Sequence, residues 1–147
     1  MNIHYEIRKS RGLPGHYQYT LEIIDPEPNY SELSPIELLK LSIEKWQTIA
    51  NYLKVHPRIY ISERGISTCA CCRRYNGIGQ YCEGCPVREF TDRIGCENTP
   101  YYQFCEEHDY KTALAELNFL KEVLRNLKKE KLNFLKEVLR NLKKEKK

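Results

Sequence analysis

Seven cysteines, Cys69, Cys71, Cys72, Cys82, Cys85, Cys96 and Cys105, are crowded into the middle of this 147-residue chain, with His108 just behind them. Cys69-Ala70-Cys71-Cys72 and Cys82-Glu83-Gly84-Cys85 each hold a C-x2-C pair, and nine residues lie between the pairs. A tight turn brings the two thiolates of such a pair to one ion, and two pairs complete a tetrahedron at about 2.3 Å Zn–S. Gly84 suits the turn, and Pro86 stiffens its exit. The pattern predicts a zinc site at Cys69, Cys72, Cys82 and Cys85. Cys71 can substitute for Cys69 or Cys72, and Cys96 for any of the four. Cys105-x2-His108 also has ligand spacing, and seven cysteines with one histidine suffice for a second ion.

Other fates for these thiols compete. An odd cysteine count, no signal-peptide pattern at the start and modest cysteine density speak against an extracellular disulfide framework. Disulfides inside a hyperthermophile are the exception, and the Lys/Glu/Ile-rich composition leans slightly that way. Four thiolates also suit an iron–sulfur cluster, and spare cysteines can be buried thiols. A thiol or redox protein is a further reading, but a cysteine nucleophile wants a histidine partner, and only His108 is near in sequence. The H-x-E…P-C-x-x-C pattern of a zinc deaminase is absent, since Tyr81 precedes Cys82 and His4-Tyr5-Glu6 lies far upstream. No phosphate-binding loop or nucleophile elbow occurs.

Arg73, Arg74, Tyr75 and Tyr81 lie between or beside the pairs, a mix that can hold phosphate and stack on bases. Acidic Glu83, Glu89, Asp92, Glu97, Glu106 and Glu107 share the region, so a mixed solvated surface is the simpler account. Charge is uneven overall. The chain has 24 Lys and Arg against 20 Asp and Glu. Residues 117–147 hold 11 basic and 4 acidic residues, a net +7, which leaves −3 for residues 1–116. The basic character therefore belongs to the tail, not to the cysteine-bearing body.

Hydrophobic residues at 41% and charged residues at 30% describe a foldable, water-compatible chain and not a disordered one. No run approaches the roughly 20 apolar residues of a membrane span. A membrane protein, a secreted cystine knot and a large multidomain enzyme are excluded as expectations.

The cysteines must be held by what flanks them. Ile3, Tyr5, Ile7 and Tyr17, Tyr19, Leu21, Ile23 alternate with polar residues around Arg11-Gly12-Leu13-Pro14-Gly15, which predicts a β-hairpin. Ser34-Pro35-Ile36-Glu37 is a capping box, and Leu39, Ile43, Trp46, Ala50 and Leu53 continue as one helical stripe. A helix over Ser34–Lys54 is predicted, stopped by His56-Pro57, with Trp46 as a core anchor. Arg58–Ser62 reads as a third strand. Thr99-Pro100 should open another helix.

Residues 117–131, LNFLKEVLRNLKKEK, recur without a change at 132–146. Each copy has leucines at helical spacing, and no Gly or Pro interrupts from Tyr110 onward. Fifteen residues at about 100° each rotate the second stripe by about 60° from the first. A groove fitting one copy will not run on smoothly to the next. The second copy is expected to project, available for self-association or a partner protein.

At these residues the chain resembles a family of small, functionally uncharacterised cysteine-rich proteins of bacteriophages, prophages and archaeal viruses or plasmids. The resemblance rests on Ser42-Ile43-Glu44-Lys45-Trp46, Cys69 with Cys72, Cys82-Glu83-Gly84-Cys85-Pro86 and Gly95-Cys96-Glu97-Asn98-Thr99-Pro100-Tyr101, and spans about residues 36–127. It implies a mobile-element origin in a host-cell interior. It places Cys96 in the shared pattern, as a ligand or disulfide partner, and makes Cys71 an extra thiol. Cys105 and the second tail copy are peculiar to this chain. It implies no activity.

Together these features predict an α+β protein. Residues 1–116 form one small domain with a cysteine-rich, metal-stapled loop module at 66–108, and 117–147 form a basic amphipathic helical tail. The expected function is that of a non-enzymatic, cytoplasmic, zinc-stapled adaptor that binds host or viral protein. A nucleic-acid accessory and a thiol protein are the alternatives, and no membrane partner is expected.

Overall fold

A computed structural model describes residues 3–76, 82–92, 96 and 99–146. The hairpin forms where alternation placed it. Strand β1 (Tyr5–Arg11) pairs antiparallel with β2 (Tyr17–Ile23), in a register that sets Tyr5 opposite Ile23 and Ile7 opposite Leu21. Tyr5 and Leu21 are buried on the inward face, because period-two alternation sends those side chains to one side of the ladder. Tyr17, at the far end, is exposed and carries the Lys9 ammonium 4.1 Å from its ring centre. Strand β3 is shorter than the sequence suggests: only Ile61–Ser62 joins the sheet, parallel to β2.

Helix α1 (Pro35–Val55) begins on the predicted capping box. The Glu37 amide donates to Ser34 Oγ, and the Ser34 amide donates to Glu37 Oε1, each at 3.2 Å. Its buried face includes Leu39, Trp46, Ala50 and Leu53 as expected, but also Ser42, Lys45 and Ile49, while Ile43 is half-buried. The inward face is therefore rotated from the apolar stripe toward two polar residues.

The segment expected to be loop contains two short helices, α2 (Ala70–Tyr75) and α3 (Pro86–Thr91). Helix α4 (Pro100–Glu107) starts at the predicted proline, and α5 (Tyr110–Glu145) follows after Asp109 caps it. Trp46 packs edge-on against Phe104, with centroids 4.8 Å apart, and against Tyr101. This joins α1 to α4, and α5 lies along both. Thr112, Ala113, Glu116, Leu117, Leu120 and Val123 form the buried face of α5. From residue 128 to 145 every residue of α5 is exposed. The α+β architecture thus has an N-terminal sheet, a cysteine-bearing middle and a long C-terminal helix. Among the described residues, no helix is long and apolar enough to cross a membrane.

Candidate metal centre

Both C-x2-C pairs sit at helix starts. Cys69 is the residue before α2, and Cys85 is the residue before α3, with Pro86 in the first helical position. In the second turn the Cys85 amide donates to the Cys82 carbonyl at 3.0 Å, Cys82 takes φ +62° and Gly84 φ +86°. Glycine suits position 84 because a side chain is strained there, and a Cβ would also stand 3.4 Å from the Tyr75 ring. The Cys82 amide donates to the Tyr75 carbonyl at 3.1 Å, which ties the second turn to the end of α2.

These turns converge. A cavity of about 270 Å³ is lined by six cysteines: Cys69, Cys71, Cys72, Cys82, Cys85 and Cys96. Cys69 is hydrogen-bonded to Cys71 and to Cys72, and Cys71 also to Cys85. Ser42 Oγ donates to Cys71 Sγ at 3.5 Å from the floor. The Cys69 thiol is held well below its usual range, because Cys71 and Cys72 donate to its sulfur, and the backbone of Cys72 and the Lys45 charge add to this. Donation from Cys71, with the amides of Arg88 and Val87, likewise lowers Cys85. Amides aimed at sulfur after a C-x2-C turn stabilise thiolate. Cys71 and Cys72 are pushed up in turn, chiefly as donors to Cys69, and burial pushes Cys96 up.

Soft thiolates with amide support fit zinc chemically. Among the described residues, however, no three Cys, His, Asp or Glu side chains stand as a preformed ion shell. No disulfide joins any of the described cysteines.

Two charged residues complete the cavity wall. Lys45, only 1% exposed, donates from Nζ to Glu63 Oε2 at 2.7 Å and to the Gly65 carbonyl at 3.3 Å. Glu63 also accepts from the Tyr101 hydroxyl at 2.6 Å. Glu116, 3% exposed, has no hydrogen-bond partner for Oε2 among the described residues. Burial, and then the nearby Cys69 charge, raise its pKa to about 8, with the Lys45 charge and the Tyr101 backbone amide opposing. Neither residue was singled out as a site residue by the sequence. Glu116 is legible as the one acidic residue on the α5 stripe of Ala113, Leu117, Leu120 and Val123.

The remaining candidates lie elsewhere. Cys105 is exposed on α4. His108 caps α4 with φ +51° and stacks on Tyr60, with centroids 4.2 Å apart, outside the cavity lining. Thr99 does not cap α4 with its side chain, as its position suggests; its hydroxyl donates back to the Cys96 carbonyl at 2.6 Å and fixes that cysteine. Arg73 is ion-paired with Glu27 and lies over the Tyr30 ring, and Arg74 covers the largely buried Tyr75. Tyr81 lies outside the described residues. Arg73, Arg74 and Tyr75, offered to nucleic acid by the sequence, thus also make contacts within the protein itself.

No protein-family model, curated protein or solved structure matches this chain.

Proposed function

We propose that this chain is a zinc-stapled, non-enzymatic accessory protein whose projecting helix engages a protein partner. The observation that carries the reading is the convergence of six cysteines, including both C-x2-C pairs, on one cavity. Cys69, Cys72, Cys82 and Cys85 would hold the ion. Bound zinc neutralises clustered thiolates and links two turns that otherwise touch through weak S–H bonds. A structural zinc of this type contributes on the order of 10 kcal/mol to folding at neutral pH. The resemblance to cysteine-rich proteins of phages and archaeal mobile elements gives the setting, a host-cell interior.

The partner reading rests on the second repeat, where Leu132, Phe134, Leu135, Leu139 and Leu142 are all about half-exposed or more. A second, nucleic-acid reading draws on the same segment, since residues 128–146 hold eight basic and three acidic residues. Metal content of purified protein, measured with and without chelation, tests the staple. The full chain and a chain ending at Lys131 then separate the partner readings. Binding that falls steeply with salt on any DNA or RNA favours the second; salt-tolerant association with protein, or with another copy, favours the first.

A further inference from the structure

A single zinc on the two C-x2-C pairs leaves Cys71, Cys96 and Glu116 in the cavity wall with no ion to bind. Glu116 is the most telling. Only 3% of it is exposed, it lines the cavity, and its Oε2 has no hydrogen-bond partner among the described residues. An unsatisfied buried polar atom is destabilising, and Leu or Ala at this position of α5 would avoid that cost. Among the described residues no cation pairs with it, because Lys45, the buried ammonium on the same wall, is bound to Glu63. A ligand entering the cavity is what would satisfy it.

We propose that the cavity holds two thiophilic divalent cations, the second bound by Cys71, Cys96 and the Glu116 carboxylate, with the Cys69 sulfur shared between the two. The inference rests on the zinc reading above and extends it. Two four-coordinate ions sharing one sulfur need seven donors, and six thiols with one carboxylate line this cavity. Cys69 is the sulfur placed to be shared. It is hydrogen-bonded to Cys72, on the first ion, and to Cys71, on the second, and it lines the same cavity as Cys96 and Glu116. With one ion, the extra thiols stay protonated; a second dication lets them ionise as its ligands and turns Glu116 from an orphan into a ligand. Thr99 holding the Cys96 backbone and Ser42 on Cys71 supply the outer contacts that orient two of the donors.

The decisive experiment titrates reduced, metal-free full-length protein with Zn²⁺ and counts bound ions by native mass spectrometry. The expected result is two ions per chain, with Cys96→Ser retaining one. Glu116→Gln, which keeps the shape of the helix face, should weaken the second ion at least tenfold and leave the first unchanged. One ion on the wild-type chain overturns this inference and leaves the zinc staple standing. No bound ion overturns both. Two ions bound equally well by wild type and Glu116→Gln overturn the ligand assignment, whatever Cys96→Ser does to folding.

Discussion

Leu120 and Leu135 occupy the same place in an exact 15-residue repeat, yet Leu120 is 3% exposed and Leu135 49%. Identical residues on one unbroken helix thus have opposite environments, decided only by where the body ends. Leu120→Ala should destabilise the protein by about 2–5 kcal/mol. Leu135→Ala should stay within about 0.5 kcal/mol of wild type. Urea unfolding monitored at the single tryptophan reads both, and equal losses would mean that the second copy packs on the body.

Removing residues 132–147 should therefore leave the thermal midpoint nearly unchanged and abolish any concentration-dependent association. Light scattering on the full and shortened chains measures this. Association that survives the truncation moves the contact surface to another face.

Lys45 and Glu63 form a buried pair, and cutting it on one side strands a charge. Glu63→Gln should cost about 3–5 kcal/mol. Pairing it with Lys45→Met should recover part of the loss, because both charges are then gone. A double-mutant cycle in urea gives the coupling, and simple additivity would contradict the pairing.

Asp109 caps α5, accepting from the Thr112 amide at 2.9 Å and from its hydroxyl. These bonds favour the charged carboxylate and lower its pKa. A lowered folded pKa means stability present above the ordinary carboxylate range and lost as pH falls through the folded value. Asp109→Ala should cost about 1 kcal/mol at pH 7, and the difference from wild type should shrink on acidification. A gap constant throughout an acid titration would contradict the charged cap.

Thiol labelling separates the cavity from the surface. Cys105 is exposed, and the other six cysteines line the cavity. Native protein should react rapidly at one thiol, and chelator should release the others. Several fast thiols before chelation would contradict a metal-filled cavity.

The hairpin and the start of α1 were legible because their signals are local. Alternation at Tyr5 and Ile7, and the Ser34–Glu37 box, need no distant partner. Strand β3 was overextended because its pairing with β2 is parallel and long-range, which no local pattern encodes. The cysteine segment read as loop since α2 and α3 are single short turns started by cysteine and proline, without a hydrophobic stripe of their own. The convergence of Cys69, Cys72, Cys82 and Cys85 on one cavity follows their spacing. Lys45 and Glu116 escaped because a hydrophobic stripe treats polar residues as gaps, although each falls on the buried face of its helix. Cys71 read as an extra thiol by resemblance, yet it is 2% exposed and hydrogen-bonded to both C-x2-C pairs.

X-ray absorption at the zinc edge of purified full-length protein tests the central claim most directly. The account predicts stoichiometric zinc in a sulfur-dominated shell near ~2.3 Å. Protein that is folded but free of zinc, or zinc surrounded only by nitrogen and oxygen, would contradict it.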